Sequence, residues 1–357
     1  MYDIILSFLT AFALTYFAIP SIINIAKKKN LCDEPGERRS HHQATPSLGG
    51  IAIFAGVIFS IILWTPFNYF GDLQYILCAF IIIFLIGAKD DILPMSPWKK
   101  LVGEILAASI LVFRSNIKLT SLYGIFNIGQ LPEPISILLT IFTILVIINA
   151  FNLIDGINGL SGSIGTLITL TLGSWFFMTD HIELAMVAFS TAGAIIAFLK
   201  YNFTPAKIFM GDTGALLIGL ICSILVIQFV ELNGQIETGQ PAHRYVLANV
   251  PAVAFGILIL PLFDTLRVFT LRILKGKSPF YPDRSHIHHL LIDLGLTHMQ
   301  ATGILVLVNI LFIGLVFSLQ HIGSAALLAL IIVLAIGLSS LLYYSVHHKK
   351  LRNATSS

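Results

Sequence analysis

Long apolar runs recur along the whole chain, and their length restricts the folds that are open to it. A helix of about 20 apolar residues crosses the hydrocarbon core of a bilayer, which is roughly 30 Å thick. The 357 residues are 56% hydrophobic and 11% charged, with a mean hydropathy of +0.89. A soluble core would leave much of this apolar surface exposed to water. The sequence therefore predicts an all-α polytopic membrane protein.

The hydropathy pattern predicts about eleven transmembrane helices. They lie near residues 2–26, 48–67, 73–88, 101–116, 134–152, 159–178, 183–200, 213–231, 246–267, 300–319 and 323–346. The first run is followed by three lysines and not by a small-residue cleavage site, which indicates a retained helix. Since no long linker or low-complexity tract interrupts the chain, we expect residues 1–357 to form a single integral membrane domain.

The distribution of basic residues predicts how the chain is oriented in the membrane. If the N-terminus is outside, 18 of the 21 lysines and arginines fall in inner loops, and only Arg114, Lys118 and Arg244 fall outside. Cytoplasmic loops are enriched in lysine and arginine, so this arrangement favours an outer N-terminus and a cytoplasmic C-terminus. The inner loops that would then form a cytoplasmic site are 27–47, 89–100, 152–159, 200–213 and 268–299.

Acidic residues gather at the inner ends of these spans, in three segments that also contain glycine. The segments are "GAKDDILP" with Asp90 and Asp91, "NAFNLIDGINGLSG" with Asp155, and "FMGDTGALLIG" with Asp212. Glycines let backbone N–H groups approach a ligand, and helix N-termini favour an anion, so we expect a phosphate here. Carboxylates beside a phosphate need a cation. Mg²⁺ suits one or two protein oxygens plus substrate phosphates, with Asp212 and the Asn152 carbonyl as ligands and Mn²⁺ as a substitute.

Each of these segments also has a simpler interpretation. The paired aspartates are typical of a solvated helix end, "DGxxG" of a turn, and "GDTG" of a helix capped by Thr213. Lys100 and Glu104 have the spacing of an intrahelical pair, although Lys100, ten residues past Asp90, is close enough to the membrane surface to meet a lipid phosphate. Asp264 and Arg267, one turn apart, have the spacing of a structural pair.

The longest inner loop contains Arg284, His286, His288 and His289. A zinc site is one interpretation, but the usual companion cysteine or carboxylate spacing is missing. A basic loop attracted to anionic headgroups is another. We favour a cluster of hydrogen-bond donors around a sugar diphosphate. Cys32, Cys78 and Cys222 have no CxxC spacing and imply neither a disulfide framework nor a thiolate metal site.

Taken together, these motifs resemble those of the polyprenyl-phosphate N-acetylhexosamine-1-phosphate transferases, relatives of the phospho-N-acetylmuramoyl-pentapeptide translocase. The resemblance covers nearly the whole chain, in the order "TPSLGGIAIF", "GAKDDILP", "NAFNLIDGINGLSG", "YNFTPAKIFMGDTGALLIG", "PLFDTLRV" and "SPFYPDRSHIHHLL". It implies an eleven-helix bundle with a cytoplasmic site in the bacterial inner membrane. The "HIHH" form is similar to the N-acetylglucosamine-1-phosphate branch of the family.

The resemblance also implies roles for particular residues. Asp90 and Asp91 would lie by the attacking lipid phosphate, and Asn152 and Asp155 at the nucleotide-sugar diphosphate. The catalytic residues would be Asp90, Asp91 and Asp155. Lys100, Asn152, Asn158, Arg284, His286, His288 and His289 would bind substrate, and Asp212 would hold Mg²⁺. Many family members have aspartate where this chain has Asn158. A reaction scheme that requires a carboxylate at this position is therefore in doubt.

The predicted reaction transfers a sugar 1-phosphate from a UDP-N-acetylhexosamine to undecaprenyl phosphate and releases UMP. It would initiate synthesis of a cell-envelope polysaccharide such as lipopolysaccharide or teichoic acid. Alternatives are the pentapeptide translocase activity, a transporter of an anionic solute, and a zinc-dependent intramembrane hydrolase. We expect membrane lipid and no nucleic acid as partners, and the question of a homodimer through lipid-facing helices stays open.

Overall fold

The computed structural model describes residues 2–31, 45–125, 128–278 and 285–355. These residues form helices, turns and no β-strand, with an isolated bridge between Ser121 and Gln130. The helices are α1 Tyr2–Lys28, α2 Gly49–Trp64, α3 Leu73–Ile92, α4 Pro97–Arg114, α5 Glu133–Ile154, α6 Leu160–Met178, α7 Ile182–Asn202, α8 Gly211–Asn233, α9 Val250–Ile257, α10 Ile259–Leu274, α11 Ile287–Asp293, α12 His298–Ser318 and α13 Ser324–Thr355. The all-α prediction is confirmed.

The helices coincide with the predicted apolar runs, with α9 and α10 sharing the ninth run and α11 added in the longest loop. Among the described residues, seven helices are long and apolar enough to cross a membrane, or eight if α9 and α10 form one bent span. The protein is therefore a multi-pass membrane protein.

Contacts between Cα atoms divide the chain into two compact units, Met1–Leu247 and Ala248–Ser357. In the first unit α8 is central and contacts α2, α3, α5, α6 and α7. Its most apolar stretch is 89% buried, whereas that of α1 is 28% buried. The start of α8 is thereby placed among the ends of several other helices.

Small and hydroxyl-bearing residues bring helices of the first unit close together. Ser7 of α1 hydrogen-bonds to Ser60 of α2, with 3.1 Å between the hydroxyl oxygens, and also to Ser190 of α7. A Cβ atom at Gly193 of α7 would lie 2.3 Å from the carbonyl oxygen of Phe8, so only glycine fits there. Such residues are typical of helix interfaces in membranes, where close packing and interhelical hydrogen bonds replace the hydrophobic driving force.

In the second unit, the helix axis bends by 80° between α9 and α10. Pro261 has no backbone N–H, so the carbonyl of Ile257, four residues earlier, loses its helical donor. Asn309 of α12, fully buried, supplies that donor through its Nδ2 atom at 3.2 Å, and its Oδ1 atom accepts from the Leu260 N–H at 3.3 Å. One side-chain amide thus satisfies backbone groups freed by the break.

Candidate active site

Two carboxylates from different helices converge on one lysine in the first unit. Lys100, at the start of α4, places its Nζ atom 2.5 Å from Oδ2 of Asp90 and 2.5 Å from Oδ2 of Asp212. Asp90 lies near the end of α3 and also accepts a 2.6 Å hydrogen bond from the Met95 N–H. Lys100 therefore neutralises two acids that would otherwise repel each other, and the Lys100–Glu104 pair is replaced by this bridge.

Asp91 faces the first backbone N–H groups of α8. Its Oδ1 atom accepts from the Asp212 N–H at 2.7 Å, and its Oδ2 atom accepts from the Thr213 N–H at 3.0 Å and the Thr213 hydroxyl at 2.5 Å. The first N–H groups of a helix have no intrahelical partner. The Asp91 carboxylate therefore caps α8 from a neighbouring helix, and Thr213 is a donor to this cap.

The start of α8 is also fixed by the residues around the start of α2. The N–H groups of Gly49 and Gly50 donate to the carbonyls of Phe209 and Met210 at 3.0 and 2.8 Å. A Cβ atom at Gly50 would lie 2.1 Å from the backbone nitrogen of Gly214. Gly211 has φ +72°, and a Cβ atom there would lie within 2.7 Å of both Asp91 carboxylate oxygens. The backbone that carries Asp212 is therefore held on two sides.

Asp155 follows the last residue of α5 and accepts a 2.5 Å hydrogen bond from the Ser161 hydroxyl of α6. Burial, with a smaller contribution from the negative charge of Asp212, raises the pKa of Asp155 to about 6, against the hydrogen bond from Ser161, which lowers it. Asn152 is half-buried near the end of α5. Because the charge of Asp212 acts on the pKa of Asp155, the second acidic motif interacts electrostatically with the Lys100 cluster.

The side chain of Asn158 is more buried than its predicted role in substrate binding suggests. It is 6% exposed, and its Nδ2 atom donates to the Thr204 hydroxyl at 3.0 Å. The next residue, Gly159, donates its N–H to Oδ1 of Asn202 at 2.7 Å, and Asn202 in turn donates to the Ile208 carbonyl. These bonds tie the turn before α6 to the loop before α8. Asn158 therefore helps hold this turn in place.

Glu104 belongs to this region although the motif analysis gave it no role in the site. It is 2% exposed, and its Oε2 atom accepts a 2.7 Å hydrogen bond from Nδ2 of Asn149 on α5. The sequence signal for Glu104 is an acid one turn after Lys100, a spacing that by itself indicates an intrahelical pair. Asn149 opens the second acidic motif, so the bond joins α4 to that motif.

The second unit holds the histidine cluster. His286 and His288 are buried, with ring centroids 5.6 Å apart, and His289 is half-buried. Burial lowers the pKa of His288 to about 3, so its ring is neutral at pH 7. Asp264 pairs with Arg267 at 3.2 Å, as the spacing predicts, and its Oδ2 atom lies 2.9 Å from Nδ1 of His286. Arg284 lies outside the described residues.

The acidic cluster of the first unit has the composition of a partial magnesium site. In the part of the chain that the structure describes, no three histidine, cysteine, aspartate or glutamate side chains are arranged to hold a metal ion by themselves. Asp90 and Asp212 are both partly exposed, with side-chain exposures of 13% and 27%. Mg²⁺ is usually bound through one or two carboxylates, waters and substrate phosphates, so the more exposed Asp212 carboxylate would suit it once a phosphate is present.

The fold and the acidic cluster define a multi-pass membrane protein with a charged site at the ends of its helices. Residues 73–230 match the family model "Glycosyl transferase family 4". A decaprenyl-phosphate N-acetylglucosaminephosphotransferase of Mycobacterium tuberculosis is 32% identical over 328 residues, which are 86% of this chain and 79% of that protein. An undecaprenyl-phosphate alpha-N-acetylglucosaminyl 1-phosphate transferase of Pasteurella multocida is 35% identical over 306 residues, 84% and 80% of the two chains.

The enzyme of the same name from Escherichia coli O157:H7 is 30% identical over 326 residues, which cover 89% of this chain and 84% of that one. The chain therefore belongs to glycosyl transferase family 4, and the family resemblance carried by the motifs is confirmed. It is a sugar-phosphate transferase.

Proposed function

We propose that this protein transfers N-acetylglucosamine 1-phosphate from UDP-N-acetylglucosamine to undecaprenyl phosphate and releases UMP. The names of the relatives from Pasteurella and Escherichia state the transferred group, N-acetylglucosaminyl 1-phosphate, and the acceptor, undecaprenyl phosphate. The observation that carries the proposal is the bridge from Lys100 to Asp90 and Asp212, which gathers charge from three helix ends. Such a cluster suits a reaction between two phosphate-bearing substrates.

In the proposed reaction an oxygen of the acceptor phosphate attacks the β-phosphorus of the nucleotide sugar. The bond from that phosphorus to the bridging oxygen breaks, UMP leaves with that oxygen, and the anomeric carbon keeps its configuration. Phosphoryl transfer asks for positioning and charge neutralisation more than for covalent chemistry. The second pKa of a phosphate monoester is about 6, so the acceptor is already mostly dianionic at neutral pH and needs no strong base.

Asp212, with the carbonyl oxygen of Asn152, would hold Mg²⁺ or Mn²⁺, which would neutralise charge on the donor diphosphate when bound. Lys100 would bind the acceptor phosphate, and Asp90 would orient the Lys100 ammonium group through their ion pair. Asp155 would lie at the donor diphosphate. Asp91 would act through α8, because both of its oxygens accept hydrogen bonds from residues 212 and 213.

The remaining predicted binding residues belong to the nucleotide sugar. Arg284, His286, His288 and His289 would recognise the sugar and its phosphates, and Asn158 would support the turn that follows Asp155. We place the enzyme in the bacterial inner membrane as one integral membrane domain. It would have eleven spans, an outer N-terminus, a cytoplasmic C-terminus and an active site facing the cytoplasm, where nucleotide sugars are made available. Its product would initiate a cell-envelope polysaccharide.

The deciding experiment incubates the purified protein with undecaprenyl phosphate, Mg²⁺ and a panel of UDP-sugars, and identifies the released nucleotide. We expect UMP, with UDP-N-acetylglucosamine as the best donor, and no release without the lipid. Release of UDP would mean ordinary glycosyl transfer and would overturn the proposal. Release of UMP from UDP-N-acetylmuramoyl-pentapeptide alone would assign the translocase activity, and loss of UMP release with a chelator would establish the requirement for a metal.

A further inference from the structure

Asp264 is the most heavily hydrogen-bonded acid of the second unit among the described residues, although no sequence motif gives it a catalytic role. It lies on α10 and is 1% exposed, so it cannot touch a substrate. Its Oδ2 atom lies 2.9 Å from Nδ1 of His286, and its Oδ1 atom accepts from the Ile287 N–H at 3.0 Å and from Arg267 at 3.2 Å. A buried carboxylate with these partners must act through them.

The contact with His286 decides which ring nitrogen carries the proton. A carboxylate only accepts hydrogen bonds, so Nδ1 of His286 must be the donor. Nε2 is then an acceptor when the imidazole is neutral and a donor when it is charged. Groups that face His286 are Asp264 and Arg267 of α10, the stacked ring of His288, and beyond it His289 and His298.

The same carboxylate fixes the backbone on both sides of His286. The Ile287 N–H, at the start of α11, donates to Asp264, and Arg267 donates both to Asp264 and to the carbonyl of Ser285. The other end of α11 is held by α13, since Nζ of Lys349 donates to the Leu294 carbonyl at 2.8 Å. The position of His286 is therefore set by α10, and α11 is held at both ends.

We propose that Asp264 is a positioning residue for nucleotide-sugar binding: it fixes the ring orientation and the tautomer of His286, so that Nε2 faces the donor. The proposal rests on the proposed function, because that function supplies the ligand. It assigns a role to the fourth aspartate-bearing motif, "PLFDTLRV", which the reaction scheme above leaves unused.

The test is Asp264→Asn, which keeps the size of the side chain but offers an amide in place of one acceptor oxygen. We expect the KM for the nucleotide sugar to rise and kcat/KM to fall roughly 10- to 100-fold, as for loss of a hydrogen bond to a charged group. The KM for the lipid acceptor should stay unchanged. Asp293→Asn is the matched control, since Asp293 is an exposed acid of α11 that pairs with Lys350.

A double-mutant cycle separates positioning of His286 from a general effect on the fold. We expect Asp264→Asn to cause no further loss in a His286→Asn background. An equal loss in both backgrounds would overturn the proposal. A ¹⁵N spectrum of the histidine rings in the unmodified protein gives a readout that needs no activity and no folded Asp264 variant.

We expect the His286 signals, assigned by their absence in His286→Asn, to show a protonated Nδ1. A neutral ring protonated only at Nε2 would also overturn the proposal. Failure of the proposed function has a different signature, because the unmodified protein would then release no UMP while the ring spectrum would still report the Asp264–His286 contact.

Discussion

Lys100 neutralises the carboxylates of Asp90 and Asp212 in the acidic cluster. Its ammonium group lies within 2.5 Å of carboxylate oxygens of Asp90 and Asp212, and its side chain is 23% exposed. Two carboxylates at this distance from a common point repel each other and would repel a phosphate. One cation between them converts an acidic cluster into a site that a phosphate can approach.

Replacing Lys100 by glutamine should therefore abolish most activity. We expect kcat to fall about 10²- to 10³-fold, the usual effect of removing one group that stabilises charge in a transition state. Lys99→Gln is the control, because Lys99 is the exposed neighbour of Lys100 on the same helix turn. UMP release under saturating substrates is the measurement. An unchanged rate constant in Lys100→Gln would show that the lysine only balances charge in the absence of ligands.

The N-terminus of α8 is the element on which the acidic site depends. A helix presents N–H groups without intrahelical partners at its start, and here the acceptor is Asp91 from the end of α3. Gly87 of α3 allows the approach, since a Cβ atom there would lie 2.4 Å from the Cα atom of Thr213. Because Asp212 is the second residue of α8, this contact sets its position relative to Asp90 and Lys100.

Asp91→Ala should thus lower stability as well as activity. The N–H groups of Asp212 and Thr213 and the Thr213 hydroxyl would lose their acceptor, which costs about 1–3 kcal/mol for a partly buried group. The control is Asp72→Ala, an exposed acid at the opposite end of α3. Thermal unfolding in detergent measures the effect. If Asp91→Ala were inactive but unfolded at the same temperature as the unmodified protein, Asp91 would be acting in the chemistry and not as a cap.

The distribution of charge along the entire chain predicts how it crosses the membrane. Five helices, α4 to α8, separate Lys99 from Thr238, and the helices match the predicted apolar runs. The proposed eleven spans include all five of these helices, although α4 is not among the seven that are long and apolar enough by themselves. With five crossings, Lys99 and Thr238 would lie on opposite sides of the membrane. The basic residues favour a cytoplasmic Lys99 and an outer Thr238.

Single-cysteine labelling tests this topology in a chain whose native Cys32, Cys78 and Cys222 are replaced by serine. Lys99 and Thr238 are both exposed in the structure. We expect a membrane-impermeant maleimide to label Thr238→Cys in cells with an intact inner membrane and Lys99→Cys only after permeabilisation. The reverse pattern would invert the orientation, and labelling of both in intact cells would show that one of the five helices does not span.

Much of the fold and part of the site could be predicted from the sequence. The apolar runs mark the helices, and the motifs identify Asp90 and Asp212 as members of one site, which their bridge through Lys100 supports. The interpretation of Lys100 and Glu104 as an intrahelical pair is wrong, because Glu104 accepts a hydrogen bond from Asn149 on another helix. Helical spacing shows which residues share a face but not which neighbouring helix that face meets.

The membrane environment, the helix positions and the family motifs follow from the order of the amino acids alone. Each of these depends on residues that are close together in the chain, since the hydrophobic length of a helix is a local property. Three features follow from the packed structure and not from local sequence: Asp91 caps α8, Asn158 supports a turn, and Asp264 holds His286. These contacts join residues on different helices, and their geometry depends on the packing of whole helices against one another.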